Sequence, residues 1–394
     1  MKQKVQALAD QIFNEVVGFR QHLHANPELS FQEFETAKFV KDKLSAWGIP
    51  FTEMANTGVV GLIKGKGDSD QVIALRGDMD ALPINEANDD KPYKSKKPGV
   101  MHACGHDVHT SSLLGTAYIL NQLKDEFAGS VKLIFQPAEE ILPGGASIMI
   151  KEGVLQNPTP QAVVGQHVMP LIDAGKVGFR SGIYMASTDE LYVTVTGKGG
   201  HGAQPHQNID PVLITSHIIV ALQQIVSRNA DPRLPSVLSF GKVIANGATN
   251  VIPNEVKLEG TFRTLNEKWR DEAHRLMKKM AEGIAESMGG NCHFDIHRGY
   301  PFLINEEKLT ANARAFAEDY LGKENVVDLD IWMAAEDFAY YSQVTDACFY
   351  RLGTGNALKD TCHSVHTPNF DIDEDALKTS TGLMAYIALK QLGN

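Results

Sequence analysis

Cysteine is scarce: the 394-residue chain has four, Cys104, Cys292, Cys348 and Cys362, and no CxxC pair. That excludes a disulfide-stapled scaffold and fits reduced thiols in a cytoplasmic protein. Basic residues are in deficit, 37 Lys and Arg against 48 Asp and Glu for a formal charge of −11, so the positive face that a nucleic-acid binder needs is not expected. No apolar run approaches the ~18 residues of a membrane span. The opening MKQKVQALADQIFNEVV lacks the apolar core, roughly 7–15 residues, of a secretory signal. Internal repeats, low-complexity tracts and long linkers are absent as well. What is there is ordinary in bulk, 43% hydrophobic and 22% charged, and long enough for two or three domains at about 150 residues each. The compositional oddity is histidine, at 14 residues.

Val5, Leu8, Ile12, Val16 and Phe19 recur at spacings of three and four, which predicts an amphipathic helix from Lys2 to about His24, stopped by Asn26 and Pro27. A second helix is predicted from Phe34 to Trp47. Short β-rich runs at 58–63, 72–76, 131–135 and 162–165 surround a helical stretch over 107–123. This is the pattern of an α/β layer with a mixed, largely parallel sheet flanked by helices. Near Ser187 the texture changes to strand, helix, two strands, helix and strand, the split βαβ or ferredoxin-like order. After Pro301 the α/β texture resumes. The expected domains are therefore a discontinuous one, 1–186 with 298–394, and an inserted α+β one, 187–297.

Four segments at element ends carry metal-ligand chemistry. In MHACGHD (101–107), Cys104 and His106 stand two apart just before a helix. Thiolate and imidazole both bind zinc-like ions, although a CxH pair alone is also what a buried cysteine beside a helix-start histidine looks like. FQPAEE (135–140) ends a strand in Glu139 and Glu140. Adjacent carboxylates face different ways, so one can bind metal while the other accepts a proton from water; an exposed acidic turn is the bland alternative. QHVMP places His167 where a third strand stops, and CHSVHTPNF (362–370) offers His363 and His366. In RGDMDALPI, Asp78 can accept a bond from a ligating imidazole. Asp107 is equally an N-cap or such an acceptor.

In the inserted domain, GKGGHGAQPH surrounds His201 with glycines whose conformational freedom lets the loop bring the imidazole near a substrate. GATNVIPNE and GTFRT place Asn250 and Arg263 near strand ends. Arginine suits a carboxylate fork and asparagine a developing oxyanion, while singly both residues also read as surface polar groups.

In order along the chain, RQHLHANPELSFQE, RGDMDALPI, MHACGHD, FQPAEE, QHVMP, GKGGHGAQPH, NVIP, GTFRT, AAEDFA and HTPNFDIDE resemble the aminoacylase and carboxypeptidase-type dinuclear metallohydrolases. The resemblance is to their amidohydrolase branch, with the hippurate and auxin-conjugate hydrolases, and it covers nearly the whole chain. It implies a metallohydrolase catalytic domain with an inserted lid and dimerisation domain, and two divalent ions per subunit of Zn, Mn, Co or Ni type. Cys104 matches the bridging ligand, and His106, Glu140, His167 and His366 match the others. His366 is preferred to His363 because it directly precedes the ThrPro of the family pattern. Glu139 matches the general base. His201 matches a lid histidine that polarises the scissile carbonyl, supplied in relatives by the partner subunit, and Asn250 and Arg263 match oxyanion and carboxylate contacts. Other branches carry an HxD ligand motif where Arg76-Gly77-Asp78 stands here, a departure shared by the amidohydrolase branch.

The implied activity is hydrolysis of N-acyl amino acids by a cytoplasmic homodimer with a small-molecule substrate and neither nucleic acid nor membrane as partner. A dipeptidase or carboxypeptidase of the same family is the nearest alternative. A cysteine amidase using Cys104 with His106 as base, or a non-catalytic metal-binding protein, would leave the glutamate pair without a purpose.

Overall fold

The apolar stripe at the N-terminus forms the helix Lys2–Ala25 in the computed structural model, which describes residues 1–88 and 91–393. Val5, Ala9, Ile12, Val16, Phe19 and Leu23 are buried along one face, each large one contributing about 1.5–3 kcal/mol. The chain divides into two units, Met1–Tyr184 with Ile304–Ile331 and Asp337–Asn394, and Met185–Leu303 with Trp332–Glu336. These units cut the chain at 184/185 and 303/304, where the sequence reading has 186/187 and 297/298, and Trp332–Glu336 joins the second. Among the described residues no helix is long and apolar enough to cross a membrane.

The first unit is built on an eight-stranded sheet in the order Phe51–Met54, Gly58–Lys64, Ala128–Gln136, Gly67–Asp78, Ala162–Asp173, Asp346–Gly355, Val177–Phe179, Val326–Asp328. Gly67–Asp78 runs parallel to both of its neighbours, and Ala162–Asp173 is parallel to Asp346–Gly355. Antiparallel pairs join Phe51–Met54 to Gly58–Lys64 and Gly58–Lys64 to Ala128–Gln136. The sheet is thus mixed and largely parallel, as expected. Strands in its middle are buried along nearly their whole length, because the helices Lys2–Ala25, His106–Gln122 and Ala376–Gln391 pack with it into one core. Register places Asp78 opposite Gln136 and Arg76 opposite Gly165, so parallel strands end along a common edge, where open α/β sheets carry their sites.

The helix predicted from Asp107 starts one residue earlier, at His106, after Gly105 in a left-handed conformation (φ +80°). A side chain at Gly105 would also lie 2.6 Å from Val168, so this turn admits only glycine. The Pro211 helix ends at Gln224 and continues as a wider turn, Ile225–Asn229.

The second unit has a four-stranded antiparallel sheet in the order Ser236–Ile244, Glu255–Thr264, Asp189–Thr196, Asn291–Arg298, the ferredoxin-like arrangement. Leu191, Val193 and Val195 alternate inward and pack with Ile214, Ile218 and Leu222 of Pro211–Gln224 and with Ala273, Met277 and Ala281 of Glu267–Ser287. Asp210 and Asn266 cap the two helices through their side chains.

One buried ion-pair network ties Lys2–Ala25 to the rest of the first unit. Arg20 donates to Asp107 at 2.9 Å and to Asp371 at 2.7 Å, with all three side chains nearly or wholly inaccessible. Replacing Arg20 by Met removes the buried cation that Asp107 and Asp371 share, leaving Asp107 with His24 and Asp371 with Lys91 and Tyr93 at its margin. It should cost about 3–5 kcal/mol, read as a lower urea midpoint of the folded protein. Burial pulls the Asp371 carboxyl up, but Arg20 together with the Ile372 amide and the Tyr93 hydroxyl holds the group below its ordinary range. The stability this gives is complete above about pH 4 and is lost as pH falls through the depressed native value. The R20M variant should therefore show a shallower loss of stability in acid than the wild type.

Candidate metal centre

The edge defined by the parallel strands gathers side chains from distant segments. His106 opens its helix, Cys104 lies in the turn before it, Glu139 and Glu140 follow the strand Ala128–Gln136, and His167 lies within Ala162–Asp173. His366 comes from the loop ahead of the last helix, held by its backbone N–H to Ala103 O at 2.7 Å. Candidate ligand atoms of Cys104, His106 and His167 all lie within 4.8 Å of one another, as do those of Cys104, Glu140 and His366 and those of His106, Glu139 and Glu140. Cys104 Sγ is 3.4 Å from His167 Nε2 and 3.3 Å from His366 Nε2, and His366 Nε2 is 3.3 Å from Glu140 Oε1. Such spacings suit donors sharing an ion at about 2.0–2.3 Å.

Each of the two inner imidazoles has its far nitrogen occupied. His106 Nδ1 bonds to Asp80 Oδ1 at 3.1 Å and His167 Nδ1 donates to Val168 O at 2.8 Å. This leaves Nε2 of both rings with its lone pair toward the cluster, the tautomer a metal-binding histidine requires. His106 Nε2 and Glu140 Oε1 are buried with no hydrogen bond, an arrangement that is costly unless a cation satisfies them. The donor set therefore fits divalent metal. Charge points the same way. Burial would lower His106, but Asp78, Asp80 and Glu140 raise it to about 10, and burial followed by Glu140 and Glu139 pushes the Cys104 thiol well up. The pocket is one that favours positive charge.

Two expectations need correction. Asp78 does not hold the His106 Nδ1: its Oδ1 lies 2.6 Å from His109 Nδ1, and its other oxygen takes Arg76 at 2.5 Å, so Asp80 is the acceptor for His106. Adjacent strand ends put the second Asp, not the first, beside the helix start. Nor is Asp107 an N-cap. Gly105 occupies that position, and the Asp107 carboxylate takes Arg20 and His24 Nδ1 (2.8 Å) instead. His363 lies with Asp360 at 3.3 Å, while its neighbour His366 faces the cluster.

Missed entirely was His109, which accepts the Val168 N–H at 2.9 Å and so braces the backbone beside His167. The HDVH run of 106–109, with its two histidines one helical turn apart, carries the signal. Arg76 pairs with Asp337 at 2.7 Å as well as with Asp78, consistent with its exclusion as a ligand.

In the second unit, His201 is exposed and pairs with Val251 in a two-stranded ribbon, and Gly202 N–H donates to Asn250 O at 2.8 Å. His201 and Asn250 are therefore neighbours. Ala203 N–H donates to His201 Nδ1 at 3.0 Å, which leaves the proton on Nε2, the form that donates to a carbonyl oxygen. Arg263 bonds to Thr261 Oγ1 at 3.2 Å, and no acid forms an ion pair with it among the described residues.

A mixed sheet that collects sulfur, imidazole and carboxylate donors at its strand ends, with a second acid beside them, defines a metal-dependent hydrolase. The description "Peptidase family M20/M25/M40" matches residues 74–390, and the chain belongs to that family. It is 42% identical over 308 residues to an N-acyl-L-amino acid amidohydrolase of Geobacillus stearothermophilus, covering 78% of this chain and 82% of the relative. It is 41% identical over 364 residues to an N-acetyl-L-cysteine deacetylase of Bacillus subtilis, covering 92% and 85%. Among solved structures it resembles a B. subtilis dinuclear metal-binding peptidase of the M20 family with a TM-score of 0.83 and 35% identity, over 98% of this chain and 99% of that one.

Removing the shared sulfur should empty the cluster: Cys104→Ala is expected to lose bound metal, measured by elemental analysis of the purified protein. His366→Ala should also lower metal content, whereas His363→Ala should keep the wild-type amount. The reverse pattern would transfer the ligand role to His363.

Proposed function

We propose that this hydrolase cleaves the amide bond of N-acyl amino acids, releasing a carboxylic acid and a free amino acid. The observation that carries the reading is the different set of partners of two adjacent acids. Both reach the His106 group, but Glu140 also groups with Cys104 and His366, whereas Glu139 accepts the backbone N–H of Asp337 at 3.3 Å. Cys104, His106, Glu140, His167 and His366 would hold two divalent ions of Zn, Mn, Co or Ni type. When bound, such a pair lowers the pKa of a shared water and polarises a carbonyl.

Glu139 takes the proton of the attacking water and returns it to the leaving nitrogen, which makes it base and then acid at the same carboxylate. His201 donates from Nε2 to the carbonyl oxygen, with Asn250 assisting as charge collects there. Arg263 grips the α-carboxylate of the substrate, favouring a free C-terminus over an internal peptide bond. Support for these three roles comes from the motifs that carry them, from the His201 tautomer and from Arg263 forming no ion pair among the described residues.

The second unit serves as lid and dimerisation domain of a homodimer. Its edge strand Ser236–Ile244 has a neighbour on one side only and exposes Val237 and Val243, and Pro211–Gln224 exposes Leu213 and Val220. A cytoplasmic location agrees with four free cysteines.

Glu139→Gln should keep full metal content while kcat on N-acetyl or N-benzoyl amino acids falls about 10²–10⁴-fold; near-normal turnover removes Glu139 from the role of base. Chelation should abolish hydrolysis and added divalent metal should restore it, whereas activity surviving chelation would indicate thiol catalysis by Cys104. Faster cleavage of dipeptides than of N-acyl amino acids would assign the enzyme to the peptidase alternative.

A further inference from the structure

The turn that presents the two acids is held by groups with no part in the chemistry above. Ala138 has φ +51°, a left-handed conformation that crowds the Cβ of any residue but glycine. Three consecutive backbone N–H groups of this turn end on two carboxylates. Ala138 N–H donates to Glu33 Oε1 at 2.8 Å, and Glu139 and Glu140 N–H donate to the two oxygens of Asp80 at 3.0 Å each. Gly145 N–H returns to Ala138 O at 2.9 Å and closes the turn.

The two clamping acids are not equivalent. Asp80 also bonds to His106 Nδ1 and accepts the Ser30 hydroxyl at 2.6 Å, so its loss would disturb a candidate ligand as well as the turn. The Glu33 carboxylate is wholly buried and takes the Thr57 hydroxyl at 2.7 Å together with the Ala138 amide. Glu33 therefore grips the turn without touching the donor cluster. Burial pushes its carboxyl up to about 6, with the charge of Asp80 adding to the effect against the pull of Thr57 and Ala138. An acid kept in so unfavourable a place is one whose acceptor oxygen is in use.

We propose that Glu33 is a positioning residue: by accepting the Ala138 amide it holds the left-handed turn that sets the direction of Glu139 relative to Glu140. This rests on Glu139 being the base, and the strain supplies the reason. With no acceptor at position 33, the Ala138 amide loses its hydrogen bond and the turn is left to Asp80 and the Gly145 amide, so that Ala138 has more freedom to relax towards negative φ. That rotation swings the following residue, and displacement of about 1 Å at a reacting group can cost up to 10²-fold in rate.

The test compares Glu33→Met, which keeps volume and removes the acceptor, with Glu33→Gln, which keeps an oxygen for Ala138 and an N–H₂ for Thr57. Thr57→Val, which removes only the other bond to Glu33, is the control. Each is loaded with metal and assayed for metal content, kcat and KM on the N-acetyl or N-benzoyl amino acid that the wild type hydrolyses fastest. Hydrogen exchange of the 136–145 peptide is measured in parallel by mass spectrometry. E33M should retain its metal and a KM within about threefold, with kcat down about 10- to 100-fold and faster exchange across the turn. E33Q and T57V should stay within about threefold of wild type in kcat and keep wild-type protection.

Unchanged exchange and kcat in E33M would overturn the proposal, as would loss of metal in parallel with activity. If E33M fails to fold, a folded E33Q with kcat down tenfold or more overturns it, and a wild-type E33Q upholds it. Glu139→Gln run alongside separates the two readings. Wild-type turnover in that variant sinks the role of Glu139 as base, while exchange in E33M still reports on the turn itself.

Discussion

Negative charge and unshared electron pairs packed into a largely buried strand-end pocket are the constraint on which the rest of the first unit depends. Asp78, Asp80 and Glu139 are buried there beside Cys104, His106 and His167, and such a collection is stable only when cations, fixed or exchangeable, answer it. The fold supplies fixed ones around the rim. Arg76 sits between Asp78 and Asp337, and Arg20 between Asp107 and Asp371. At the centre, among the described residues, it supplies no Lys or Arg, and two buried atoms, His106 Nε2 and Glu140 Oε1, stay without hydrogen bonds. This separation of a compensated rim from an uncompensated middle is what a metal centre requires.

Around that middle, orientation is set by groups one contact further out. Asp80 fixes the His106 ring, the Val168 carbonyl fixes His167, and His109 fixes Val168 in turn. Backbone strain occurs at two such places: Ala138, just before the glutamate pair, and His366 itself (φ +62°) are among the non-glycine residues that adopt left-handed conformations. Such conformations persist only where surrounding bonds over-determine them. At Ala138 the carboxylate of Glu33 does so, and at His366 the carbonyl of Ala103.

Much of this was legible in the sequence because the relevant signals are local. A CxH pair before a helix, two acids after an apolar strand and a histidine in an apolar run are each contiguous, although His167 lies inside its strand rather than at the expected end, since that strand continues to Asp173; the ferredoxin-like order of the second unit follows from alternation and helical periodicity alone. The errors arose where a role depends on which of two similar groups faces inward. Asp78 and Asp80 differ by two residues in one segment, and both are buried, so no pattern tells which reaches His106. Asp107 has the residue type and place of a cap, and only the arrival of Arg20 and His24 from the first helix diverts it. Glu33 lay inside a segment singled out for its resemblance, with no hint that its partner would be an amide 105 positions away.

The sequence by itself determined the elements, the two-part organisation and the identity of the chemically able side chains, since periodicity, turn residues and donor type are properties of short stretches. Tertiary structure alone decided which donors meet, which nitrogen of each imidazole is left available and which acid is diverted to hold a backbone turn. Those outcomes depend on strand register and on contacts between residues far apart in the chain, where differences of an ångström separate a ligand from a bystander.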